Sequence, residues 1–262
     1  MRQVGKIMRL DRFLCEMNMG SRSGVKELTR RKQVTINGKT ALSADLKINE
    51  FQDEILCQGV RLTYRPYVYY MMNKPGGVVC ATTDAREQTV LDLLKPVLPL
   101  SEQKRTISPA GRLDKDTEGL LLLTDNGELV HALLSPKKHV DKTYLVKIAH
   151  RLSPADIEKL EQGIDISASA PVSEKEPQRN RLTLPATVAV QDDTTILLTI
   201  HEGRFHQVKR MLQAVDNEVV ALKRIAFGPL KLDPSLSTGA CRELTREEIQ
   251  QLTCASADIH KM

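Results

Sequence analysis

The densest run of chemistry-bearing side chains is Gly111-Arg112-Leu113-Asp114-Lys115-Asp116-Thr117-Glu118-Gly119, followed at once by the apolar stretch Leu120 to Leu123. Three carboxylates at alternate positions, on a loop that enters an apolar segment, each need solvent, a partner or a use. Calcium is one use, because D-x-D-x-E-G matches the start of an EF-hand loop with Gly119 at its sixth position. The ninth position would then be Leu122 and the twelfth Asp125 instead of Glu, and the flanks read as loop and strand, so the calcium reading fails. Two readings remain open on the residues alone. Either one carboxylate is a nucleophile or general base at the mouth of a cleft, or the run is a surface loop.

The elements that must position this loop follow from periodicity. Leu10, Phe13, Leu14 and Met17 form one apolar face of a helix, and Gly20-Ser21 breaks and recaps a second helix that turns Val25 and Leu28 inward. Val34 to Ile36 runs into Asn37-Gly38, a hairpin signal, and residues 53–59 close the unit as strand and turn. Residues 64–67 read as a linker into a strand from Tyr67 to Asn73, and Lys74-Pro75-Gly76-Gly77 reads as a turn. A short helix at 89–94, a strand at 120–124, a helix at 126–134 and a strand at 142–149 follow. Ser153-Pro154 starts a helix that Asp156 can cap. Strands at 182–190 and 194–201 precede a helix at 204–215, which sets Val208, Met211, Leu212 and Val215 against a polar side of His206, Lys209, Arg210 and Gln213. A strand pair at 219–232 and a helix at 246–252, capped by Thr245 with Glu248, end the chain. Irregular alternation with hairpins predicts an α+β chain with a mixed, largely antiparallel sheet flanked by helices. The division expected is 1–63, a small α/β unit, 64–67, a linker, and 68–262, a larger domain.

Composition narrows the function. The 262 residues are 41% hydrophobic and 27% charged, with mean hydropathy −0.29, which excludes a membrane span. Residues 1–65 hold 13 Lys and Arg against 7 Asp and Glu, while the whole chain holds 38 against 33, so everything after residue 65 is one charge negative. A basic unit ahead of a nearly neutral one is the footprint of a phosphate-binding module, or of a solvated basic surface. Only 3% of residues are aromatic, with no Trp, so the chain is not built to lay many bases on rings. The 5 Cys form no C-x-x-C pair and follow no signal-like run, which predicts a reducing, cytoplasmic setting. His and Cys spacing offers no zinc site, and no metal or cofactor is expected.

Two resemblances then choose between the open readings. The segment from residue 8 to about residue 63 resembles the S-four RNA-binding domain, through R-L-D-R-F-L at 9–14, S-R at 21–22 and V-T-I-N-G-K at 34–39. The run G-R-L-D-K-D-T-E-G-L-L-L-L-T resembles the signature of the RsuA group of ribosomal RNA pseudouridine synthases. N-K-P-G-G-V-V-C at 73–80, T-V-L-D-L-L at 89–94, K-T-Y-L-V at 142–146, E-G-R-F-H-Q-V-K-R-M at 202–211 and R-x-x-x-G-P-L at 224–230 occur in that group's order. The match spans residues 8 to 252, nearly the whole chain.

The resemblance implies an isomerase that breaks the C1′–N1 bond of a uridine, turns the uracil over and rejoins it through C5, a redox-neutral reaction. It makes Asp114 the catalytic carboxylate, leaving Asp116 and Glu118 in loop and capping roles. Lys209 matches the basic residue that pairs with it; where related enzymes carry Arg, this chain has Lys, so a bidentate fork is not available. Tyr144 matches the ring that stacks on the flipped uracil and can take the C5 proton. Arg112 would enter the space the extruded base leaves. Leu222 would pack under the base, and Arg204, His206, Arg210, Lys223 and Arg224 would hold RNA backbone. In the N-terminal unit Arg9, Arg12, Ser21, Arg22 and Lys26 would face phosphates. The expected partner is ribosomal RNA, read as 16S from the segment at 198–215 and met naked or in a ribosome assembly intermediate, by a monomer with no membrane partner. A 23S substrate, or a non-catalytic assembly factor that only binds rRNA, are the competing readings.

Overall fold

Asn37-Gly38 and Gln58-Gly59 both adopt positive φ at each residue, 49° and 77° in the first pair and 52° and 79° in the second. That handedness matches the twist of flanking strands, so each pair closes a hairpin. The computed structural model describes residues 7–135, 138–169 and 181–257. It divides into two units, Met1–Tyr67 with Lys95–Thr106, and Val68–Leu94 with Ile107–Met262.

In the first unit β1 (Ile7–Arg9), α1 (Leu10–Glu16) and α2 (Arg22–Arg30) precede β2 (Val34–Ile36), β3 (Lys39–Thr40), β4 (Lys47–Asn49), β5 (Ile55–Cys57) and β6 (Val60–Leu62). The sheet runs β3-β2-β5-β6, with β1 and β4 as a separate pair. Leu10, Phe13, Leu14, Val25, Val34, Ile48 and Ile55 form its core. Leu28 is half-buried, and Thr29 is the buried polar residue of α2, its hydroxyl donating 3.0 Å to the carbonyl of Val25. The stretch 64–67 is not a free linker. Arg105 donates to the carbonyls of Arg65 and Pro66, the latter at 3.3 Å, and Arg65 lies 3.8 Å from Glu102. A contiguous division of the sequence does not anticipate that residues 95–106 return to this unit, because nothing local marks the return.

The second unit is built on β7 (Tyr69–Lys74), α3 (Val90–Leu94), β8 (Ser108–Pro109), β9 (Glu118–Thr124), α4 (Gly127–Leu134), β10 (Lys142–Ile148), α5 (Pro154–Gln162), β11 (Thr187–Asp192), β12 (Thr195–Ile200), α6 (Gln207–Gln213), β13 (Val219–Phe227), β14 (Leu230–Lys231), β15 (Cys241–Glu243) and α7 (Arg246–Ala257). Its sheet has nine strands in the order β11-β12-β10-β13-β9-β7-β15, with β14 on β13 and β8 on β9. The fold is α+β with a mixed, mostly antiparallel sheet: the contact of β13 with β9 is parallel, and the other strand pairs are antiparallel. Leu120 to Leu123 are fully buried, as an uninterrupted apolar run in a central strand must be. Strand β11 begins at Thr187, five residues later than the sequence suggests, because Pro185 has no N–H to offer a ladder. Ser153 and Asp156 do form the reciprocal cap of α5, and Thr245 and Glu248 form that of α7.

Candidate active site

The acid-rich loop enters the sheet at β9, beside its parallel contact with β13, where Lys223 and Arg224 lie opposite Glu118 and Gly119. Gly119 has φ of 100°, and a Cβ there would stand 2.2 Å from the carbonyl oxygen of Arg224, so only glycine lets the two strands meet. This crossing fixes where the loop starts.

What fixes the rest of it is a lysine. Lys74, at the end of β7, is 0% exposed, and its ammonium donates to the carbonyls of Pro75, Asp114, Lys115 and Thr117 at 3.0, 3.1, 3.1 and 2.9 Å. Burial pulls Lys74 below its ordinary pKa, opposed by Cys80, Asp116, Asp114 and Glu118. The Leu113 N–H adds a bond of 3.3 Å to the Cys80 sulfur, and the Gly77 N–H one of 2.8 Å to the carbonyl of Lys115. In the sequence this lysine reads as part of a turn. Its signal is a charged residue that follows the apolar run Tyr-Tyr-Met-Met after a single Asn.

So held, the half-buried Asp114 side chain meets two groups from the start of α6. Lys209 Nζ lies 3.8 Å from its Oδ2, and His206 Nε2 lies 3.7 Å from its Oδ1. Neither distance is a hydrogen bond. The close partner of Lys209 is Asp116, whose two carboxylate oxygens each accept at 2.7 Å. That bond holds the Asp116 carboxyl below its usual pKa. Asp116 therefore does not take the loop or capping role expected of it: it fixes the cation that faces Asp114. Among the described residues no three His, Cys, Asp or Glu side chains gather to hold a metal ion.

The remaining residues separate into two sets. Tyr144 is buried in β10, opposite Arg224 of β13, and so two strands from β9, about 10 Å across the sheet. Leu222 lies two residues from Arg224 on the same strand and is also buried. Arg112 is exposed, with no ion pair among the described residues. Arg210 and Arg224 do not fit the role of phosphate ligands, being 3% and 2% exposed. Arg210 donates to the carbonyl of Ile166 at 2.8 Å and to that of Phe205 at 3.1 Å. Arg224 donates to the carbonyl of Leu120 at 2.8 Å and lies 4.9 Å over the Phe227 ring. Helical periodicity put Arg210 on the wet side of α6, and tertiary packing reversed it. Arg204 is tied to Glu202 at 3.0 Å and to the carbonyl of Leu182 at 2.6 Å, while Lys223 is half-buried.

In the first unit Arg9 is bound to Asp11 at 2.7 Å and to Asp45, and Arg12 to Glu16 at 2.8 Å. Ser21 caps α2, accepting from the Gly24 N–H at 3.2 Å. Arg22 and Lys26 are exposed and carry no ion pair among the described residues.

The site thus presents a carboxylate on an anchored loop at a strand entrance, with a lysine and a histidine within 4 Å of it and neither hydrogen-bonded to it. The sequence model of the RNA pseudouridylate synthase family matches residues 68–214, and that of the S4 domain matches residues 8–55. The chain belongs to the RNA pseudouridylate synthase family and is an isomerase acting on RNA. It is 45% identical to the uncharacterised RNA pseudouridine synthase YtzG of Bacillus subtilis, over 94% of this chain and 98% of that one. It is 38% identical to ribosomal small subunit pseudouridine synthase A of Escherichia coli, over 92% and 98%. A crystal structure of a pseudouridylate synthase superposes with a TM-score of 0.61 at 39% identity, covering 94% of this chain and 99% of that one.

Proposed function

We propose that the chain converts one uridine of 16S ribosomal RNA to pseudouridine, with Asp114 as the nucleophile and the uridine flipped out of its stack. The observation that carries the reading is Asp114 at the entrance to β9, within 4 Å of Lys209 and His206 yet bonded to neither. A carboxylate is suited to attack carbon and then leave. Because neither Lys209 nor His206 is hydrogen-bonded to it, a lone pair of the carboxylate is available to attack. The C1′–N1 bond breaks, the uracil turns over, a C5–C1′ bond forms, and the proton lost from C5 is balanced by one gained at N1. Tyr144 takes the C5 proton and stacks on the uracil, Leu222 packs beneath it, and Arg112 fills the vacated stack. The 1–63 segment grips rRNA phosphates through Arg22 and Lys26. The small-subunit relatives at comparable length support 16S as the substrate. Among the described residues no helix is long and apolar enough to cross a membrane; we place the enzyme in the cytoplasm, acting as a monomer.

The test is to map pseudouridines in 16S and 23S rRNA from cells with the chain, without it, and with Asp114→Asn in its place. One 16S site should vanish in the last two, with conversion in vitro falling roughly 10³-fold or more while rRNA binding persists. A site lost from 23S would move the substrate, and full modification by the variant would remove Asp114 as the nucleophile.

A further inference from the structure

Phe205 is 45% exposed, although Phe13 and Phe227 are buried and rings make up only 3% of the chain. Its ring stacks on the imidazole of His206, with centroids 3.8 Å apart and planes within 17°. His206 is the residue whose Nε2 faces Asp114 at 3.7 Å. The stack therefore stands at the rim of the catalytic carboxylate.

The backbone beneath it is strained and fastened. His206 has φ of 48°, left-handed for a side chain with a Cβ, and its side chain makes no capping bond. Such a conformation is strained and persists where surroundings impose it. Here the buried Arg210 imposes it, bridging the carbonyls of Phe205 and Ile166. An apolar ring held in water by a buried guanidinium and a strained neighbour is preorganised for a flat apolar partner.

We infer that the Phe205–His206 stack is a nucleobase-binding site that takes a base immediately flanking the target uridine. This rests on the reading of the chain as an rRNA pseudouridine synthase. Flipping one nucleotide breaks its stacking with both neighbours, and a ring beside the reaction centre replaces that stacking for one of them. An aromatic face accepts any base, so the site supplies affinity and register more than sequence choice.

The test uses an oligoribonucleotide spanning the modified 16S uridine, intact or with an abasic residue immediately 5′ or immediately 3′ of it. Phe205→Ala should raise KM about tenfold on intact RNA, with a smaller change in kcat. On one of the two abasic substrates the same substitution should cost nothing further, and that arm identifies the neighbour. Phe205→Tyr should restore wild-type KM, whereas Phe205→Leu, apolar but not flat, should behave as the alanine variant. Penalties that multiply on both abasic substrates, while wild-type enzyme forms pseudouridine, overturn the stacking site alone. Absence of product from wild-type enzyme at this uridine, both in the intact oligoribonucleotide and in a small-subunit assembly intermediate, overturns the 16S reading and this inference together.

Discussion

The two units use charge in opposite ways. In the first, Arg12 with Glu16, and Arg30 and Arg31 with Glu27, are pairs three or four residues apart on exposed helix faces. In the second, Lys74 reaches 43 residues to Thr117, Arg210 reaches 44 to Ile166 and Arg224 reaches 104 to Leu120, all buried and all bound to backbone carbonyls. Local exposed pairs are screened and interchangeable, so they leave a surface free to meet phosphate. A buried cation holding carbonyls of a distant loop has no water to replace those bonds, so it imposes one geometry.

The comparison breaks or sharpens on four measurements. Lys74→Met should cost the second unit about 3–5 kcal/mol in urea unfolding, since it strips four carbonyls of their donor; a change under about 1 kcal/mol would place this lysine with the surface pairs. Lys142 offers the pH version. Burial and the neighbouring Arg224 pull it from 10.5 down to about 8. The folded state thus binds fewer protons than the unfolded one between those values, and stability from this group rises as pH goes from about 8 to 10.5. The gain should be about 1–3 kcal/mol and absent in Lys142→Met, read by thermal unfolding at both pH values. Replacing Arg22 and Lys26 together with Ala should leave stability alone but reduce the salt slope of RNA binding by about 1.4, two contacts at about 0.7 each. Smallest of all, Arg12→Ala should leave urea unfolding unchanged, because the exposed Arg12–Glu16 pair is screened by solvent.

The same contrast explains which features could be read before the structure. Asn37-Gly38, the Ser153–Asp156 cap and the run Leu120 to Leu123 are local signals, and each forms the turn, cap or buried strand that its residues favour. Arg210 departs from its expected polar face because helical periodicity sorts residues by type, and a guanidinium can be buried once distant carbonyls receive it. The role of Asp116 is not legible in the spacing, which does not show that Lys209, 93 residues away, reaches it before Asp114. Strand β15 was not foreseen, since its partner β7 lies about 170 residues earlier and its own three residues carry no pattern.

The sequence by itself determined the order of the elements, the basic N-terminal segment and Asp114 as the carboxylate to examine, because turn chemistry, charge and a contiguous motif are properties of neighbours in the chain. Only the tertiary structure decided that Lys74 holds the Asp114 loop, that Lys209 is moored on Asp116, and that Phe205 stands exposed beside the site. Those depend on which carbonyls and carboxylates the sheet brings within about 3 Å, a distance at which hydrogen bonding selects one partner from many.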